Sequence, residues 1–136
     1  MMSLEPRPDD YDARYAVTLR GTGTLGDGET IKICLGESAV CGRSRHCTWS
    51  LKHTPAFLQS EDGTRSALRK TLAWRATSRQ HCRLTYVAPD MNDIENLSPN
   101  GTLVDGHRVD RIVLTDCRER AHEIRLGPRG VVLELR

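Results

Sequence analysis

The sequence predicts an all-β sandwich with one short helical insertion. Stretches in which apolar and polar side chains alternate with a period of two are the first reason, because that pattern sets one face of a strand against a core. Clusters of Gly, Pro, Asn and Asp between those stretches are the second, since they punctuate a series of short antiparallel strands. The third is a single long segment, 52–77, in which the alternation stops.

Tyr15, Val17 and Leu19 alternate with Ala16, Thr18 and Arg20 and open the first strand. The glycine-rich stretch from Gly21 to Gly28 turns the chain, and Ile31, Ile33 and Leu35 resume the pattern. Cys47, Trp49 and Leu51 repeat it. Between Thr64 and Trp74, by contrast, Ala67, Leu68, Thr71 and Leu72 stand at i, i+1, i+4 and i+5, so a short helix is expected inside the insertion. Cys82, Leu84 and Tyr86 return to strand spacing. Turns follow at Pro89-Asp90, Ser98-Pro99-Asn100-Gly101 and Asp105-Gly106, and Val131, Leu133 and Leu135 form the last strand.

A chain of 136 residues has room for one domain, expected over 14–136, with 1–13 as a flexible tail. Met1 to Asp10 has no apolar stretch and reads as neither a signal peptide nor a membrane span. With 38% hydrophobic against 28% charged residues the composition is that of a folded soluble domain. A net charge of +2 gives no large basic excess, so neither a nucleic-acid nor a membrane partner is expected. The five cysteines are odd in number and form no CxxC pair, which fits a reducing, cytoplasmic compartment better than a disulfide framework.

Three rival chemistries have partial signatures. Gly21-Thr22-Gly23-Thr24-Leu25-Gly26 satisfies GxGxxG, yet it leads through Asp27-Gly28 into the strand at Ile31 and not into a helix, so a turn is favoured over a dinucleotide site. His81-Cys82 lacks the arginine six residues on that a cysteine phosphatase needs; Ala88 is there instead. Cys82 falls on the apolar face with Leu84 and Tyr86, where cysteine packs as a small core residue. Cys41, His46, Cys47 and His53 match no common zinc spacing. No cofactor, metal or catalytic residue is therefore expected.

The functional signal lies in three motifs in fixed order: Gly42-Arg43-Ser44, then Ser78-Arg79-Gln80-His81, then Asn96-Leu97-Ser98-Pro99-Asn100-Gly101-Thr102, with Asp105-Gly106 close behind. Singly each has a plain explanation. Arg43 is then a solvated charge at a strand end, Ser78 a turn hydroxyl and Asn100-Gly101 a hairpin dipeptide. Together, over roughly Arg14 to Leu135, they resemble the forkhead-associated domain, whose pattern is a Gly-Arg, a Ser-x-x-His and a Ser-x-Asn-Gly-Thr.

The resemblance implies a forkhead-associated-type β-sandwich that binds phosphothreonine peptides in a serine/threonine-kinase pathway, the partner being a kinase or its substrate. A phosphothreonine carries about −1.5 to −2 charges and three acceptor oxygens, so its pocket needs a guanidinium, hydroxyls and amide donors. By the resemblance Arg43 bonds the phosphate or adjacent backbone, Ser78 the phosphate oxygens and Asn100 the peptide main chain. Ser44 and Arg79 join the binding set, while Gly42, His81, Gly101 and Thr102 support it. Pro99 stands where the family often has a hydroxylated or basic residue, and the insertion is longer than usual. That insertion holds five basic residues (Lys52, Arg65, Arg69, Lys70, Arg75) against two acidic ones (Glu61, Asp62), a formal +3. Two readings of it stand: a pocket border favouring acidic residues beside the phosphothreonine, or a helix packed through Leu68, Leu72 and Trp74 with its charges solvated. The alternative function is a forkhead-associated fold used for phosphate-independent assembly, with the insertion covering the pocket.

Overall fold

The computed structural model describes residues 15–136; the expected tail, 1–13, lies outside them. Among the described residues eleven strands form two sheets packed face to face, a β-sandwich with a small helical insertion. The strands are β1 (Ala16–Thr22), β2 (Thr30–Cys34), β3 (Ser38–Gly42), β4 (Trp49–Ser50), β5 (Cys82–Ala88), β6 (Met91–Asn96), β7 (Thr102–Val104), β8 (His107–Val109), β9 (Arg111–Leu114), β10 (His122–Leu126) and β11 (Val132–Leu135). One sheet runs β2-β1-β11-β10-β7-β8 and the other β4-β3-β5-β6-β9.

The alternation in the sequence is the alternation of burial. Val17 and Leu19 of β1, Ile33 of β2, Ile124 and Leu126 of β10 and Leu133 and Leu135 of β11 face inward from the first sheet. Ala39 and Cys41 of β3, Trp49, Leu84 and Tyr86 of β5 and Ile94 of β6 meet them from the second. Register keeps the apolar set together, with Leu19 opposite Leu135 and Leu84 opposite Ile94. Asp105 (φ 50°) and Gly106 (φ 83°) form the two-residue turn between β7 and β8, the left-handed pair such hairpins require.

Two local expectations change. Alternation at Cys47, Trp49 and Leu51 gives only the two-residue β4, because Ser50 accepts the Lys52 N–H through Oγ (3.0 Å) and caps a 3₁₀ turn over Leu51–His53. The single helix expected between Thr64 and Trp74 is divided. The insertion contains α2 (Pro55–Leu58), α3 (Asp62–Arg69) and α4 (Leu72–Ala76), while α1 (Gly23–Gly26) is the one helical turn of the glycine-rich stretch. Thr71 is extended, and its hydroxyl accepts the Trp74 N–H (3.2 Å) to start α4 anew.

The insertion is not held by Leu72, which is 58% exposed, but by Phe57 and Trp74, both buried and stacked with ring centroids 5.3 Å apart. Its far end is tied to the sandwich by Thr77, whose Oγ donates to the carbonyls of Ala73 (2.9 Å) and Leu126 (3.4 Å). No helix among the described residues is long and apolar enough to cross a membrane.

Candidate functional site

The sequence motifs meet at one end of the sandwich. Gly42 closes β3 where the chain entering β5 crosses it so tightly that an added Cβ would lie 2.3 Å from the Arg79 carbonyl oxygen. Only glycine permits that approach. It allows the Arg43 N–H to donate to the Ser78 carbonyl (2.9 Å) and the Ser44 N–H to the Arg79 carbonyl (3.1 Å), so the first motif is strapped to the second.

His81 straps the second to the third. It is fully buried; the Ser78 N–H donates to its Nδ1 (3.0 Å) and its Nε2 lies 2.7 Å from the Gly101 carbonyl. A ring nitrogen that accepts has no proton, so Nε2 carries it and donates to Gly101: the imidazole is neutral. Burial lowers its pKa and the Gly101 carbonyl offsets part of that effect. Gly101 takes the left-handed conformation (φ 87°) that the Asn-Gly dipeptide needs. Thr102 donates to Asn96 Oδ1 (2.8 Å), which also receives the Ser98 N–H (3.2 Å), while Asn96 Nδ2 donates to the Ser98 carbonyl (2.8 Å). The expected supporting residues thus form one hydrogen-bonded frame.

Within the frame, Ser78 Oγ and Ser98 Oγ are 2.5 Å apart, and Ser98 Oγ accepts the Asn100 N–H (3.0 Å). Beside it opens a groove of about 510 Å³ lined by five cationic side chains: Arg43, Arg45, Lys52, Arg69 and Arg79. Ser44, His46 and Trp74 complete the lining. No carboxylate lines it, and among the described residues none pairs with any of the five. Converging like charges in a concave site attract an anion of matching charge.

Arg43, Ser44 and Arg79 line this groove. Ser78 does not line it, but its carbonyl accepts the Arg43 N–H. Asn100 lies outside it too: it borders a cavity of about 520 Å³ with Arg75, Ala76 and Arg129, and its Nδ2 donates to the Ala76 carbonyl (2.9 Å). The insertion stands beside Arg43, with Arg69 and Trp74 sharing its groove. Arg45, His46 and the positioning hydroxyl of Ser98 were not anticipated as site residues. The first two had a readable signal, the basic run Arg43-Ser44-Arg45-His46, while Lys52 and Arg69 belong to the basic insertion read above as one possible pocket border.

A family model for the FHA domain matches residues 39–119. A comparison with curated protein sequences found no significant match. Among solved structures, the fold is similar to an FHA domain from a study of phosphothreonine-dependent FHA domain interactions (TM-score 0.58, 22% identity, covering 89% of this chain and 95% of that one). It is also similar to the FHA domain of the CT664 protein from Chlamydia trachomatis (TM-score 0.61, 17% identity, 88% and 95%). A third is the FhaA FHA domain complexed with the intracellular domain of Rv3910 (TM-score 0.57, 22% identity, 88% and 99%).

Proposed function

This chain belongs to the FHA-domain family, and from that premise we propose that it binds phosphothreonine segments of partner proteins in the groove beside Arg43. The observation that carries the reading is the set of five cations without a carboxylate, two of which, Arg43 and Arg79, sit on the segments strapped to one another. Arg43 and Arg79 supply fork-shaped donors to the phosphate oxygens, and Ser44 and Ser78 supply hydroxyls. Asn100 has its side-chain oxygen available for a peptide N–H, while its nitrogen is engaged with Ala76.

The reading is of a binding module and not an enzyme. Burial raises the pKa of Cys47, which lies behind the groove with its Sγ donating to the Arg79 carbonyl (3.0 Å), the opposite of what activates a thiol nucleophile. We place the module in a cytoplasmic serine/threonine-kinase pathway, with a kinase or its substrate as partner; a cationic groove without a carboxylate is consistent with a phosphorylated partner. The insertion leaves the groove beside Arg43 open, which favours phosphate recognition over phosphate-independent assembly.

The test is titration with one peptide in three forms: phosphothreonine, phosphoserine and unphosphorylated. Binding confined to phosphorylated forms, and stronger for phosphothreonine, is expected. Equal binding of the unphosphorylated peptide rejects the reading.

A further inference from the structure

We infer that the ligand of this groove carries two phosphate groups, a phosphothreonine held by Arg43, Ser44 and Arg79 and a second phosphorylated side chain held by Lys52 and Arg69. The inference rests on the proposed phosphothreonine reading and specifies its substrate class.

Charge is the first argument. A phosphothreonine brings about −1.5 to −2 charges, which two of the five cations neutralise, leaving about three facing the same cavity. A second phosphate removes most of that excess. A carboxylate removes one charge and offers two oxygens in place of three.

Placement is the second. The five cations form two walls on separate parts of the chain. Arg43, Arg45 and Arg79 belong to the sandwich loops, fixed by the bonds from Arg43 N–H to Ser78 and from Ser44 N–H to Arg79. Lys52 belongs to the 3₁₀ turn after β4, its backbone N–H held by Ser50 Oγ, and Arg69 ends α3. Both residues lie in the insertion, at its start and its middle.

The second wall is built, not incidental. Arg69 lies 5.6 Å from the centroid of the Phe57 ring, which stacks on Trp74, itself part of the groove. Its neighbour Arg65 covers the same ring at 4.9 Å but spends its donors on the carbonyls of Phe57 (3.2 Å) and Leu58 (3.4 Å). Arg69 keeps its donors for the groove. All five cations line one cavity of about 510 Å³, so both phosphates are assigned to one peptide segment.

The experiment compares peptides of one sequence by fluorescence anisotropy: phosphothreonine alone, phosphothreonine with a second phosphoserine two, three or four residues away on either side, and the same positions as glutamate. At the best spacing the doubly phosphorylated peptide is expected to bind about tenfold tighter or more than the single one, and glutamate to gain less than about threefold. In Lys52→Gln/Arg69→Gln, shown folded by its melting curve, the ratio of double to single affinity should fall to within about twofold. Arg69→Gln alone serves if the double variant unfolds, with at least half the logarithmic gain lost. Equal affinity for single and double peptides at every spacing overturns the inference alone, as does a gain that survives the substitutions or an equal gain from glutamate. Failure of every phosphothreonine peptide to bind overturns the underlying reading. Binding to anionic-lipid vesicles that is lost in Lys52→Gln/Arg69→Gln, with no gain in peptide affinity from the second phosphate, assigns the second wall to a membrane and also overturns the inference.

Discussion

Ser78 and Ser98 face each other across the site with hydroxyl oxygens 2.5 Å apart, and Ser98 already accepts the Asn100 N–H. Each hydroxyl has one proton to donate. When buried Ser98 directs its proton to Ser78, the Ser78 proton is released for a phosphate oxygen. Ser98→Ala should therefore weaken phosphothreonine binding severalfold although Ser98, like Ser78, stands beside the groove lining and not in it, with one hydrogen bond contributing about 0.5–1.5 kcal/mol. Ser78→Ala alone should cost as much as the double variant. Losses that simply add in the double-mutant cycle would show that the two hydroxyls act separately.

Arg43→Ala should reduce affinity by about 10- to 150-fold, the equivalent of one charge-assisted contact of ~1.5–3 kcal/mol. Its backbone N–H bond to Ser78 survives the substitution, so the melting temperature should hardly move. Calorimetric titration of the folded variant measures the first and thermal denaturation the second. Full affinity in a folded Arg43→Ala protein removes the groove from consideration.

His81 makes the site acid-sensitive. Its folded pKa is depressed below the ordinary 6.5, so as pH falls the unfolded chain takes up the proton first. The stabilisation from a neutral His81 is complete above about pH 6.5 and is lost as pH falls toward the folded pKa. Protonation would put a second donor on Nδ1, facing the Ser78 N–H. Denaturant unfolding between pH 7.5 and 5 should show stability falling in the wild type, and His81→Gln should be less stable at pH 7.5 with a shallower slope. Its cost is about 1–3 kcal/mol for two altered hydrogen bonds. Parallel slopes for the two proteins would assign the acid sensitivity elsewhere.

Strands that bury one face were readable because their side chains alternate: Val17 and Leu19, Leu84 and Tyr86, and Leu133 and Leu135 all lie inside. β6 was harder, since Asn92 occupies one of its inward positions. β7 and β8 are three residues each, too short for a period to register. Hydrogen-bonding motifs carried the frame of the site, for Gly42, Ser78, His81 and Gly101 act through local geometry. The basic insertion was legible as a possible pocket border, but which of its cations reach the groove was not: Lys52 and Arg69, 17 positions apart, line it, while Arg65 turns to the carbonyls of Phe57 and Leu58, a choice set by tertiary packing around Phe57 and Trp74.

The Asn100 amide joins the loop before β7 to the end of α4, the one side-chain bond between that loop and the insertion among the described residues. Gly127 presses on the same carbonyl from β10–β11, where an added Cβ would lie 2.8 Å from the Ala76 oxygen, so α4 is held from two sides. Asn100→Ala should leave the sandwich intact while loosening this end, because the bond is exposed and contributes about 0.5–1.5 kcal/mol. Hydrogen exchange should accelerate in 72–77 and remain unchanged in β5 and β11. Affinity should also fall, since Asn100 is assigned a peptide contact. Asn100→Asp separates the two effects: it keeps a side-chain acceptor for a peptide N–H and cannot donate to Ala76. Fast exchange with affinity better preserved than in Asn100→Ala is the expected outcome. Exchange as slow as wild type in both variants would mean that Ala76 and its helix are held without Asn100.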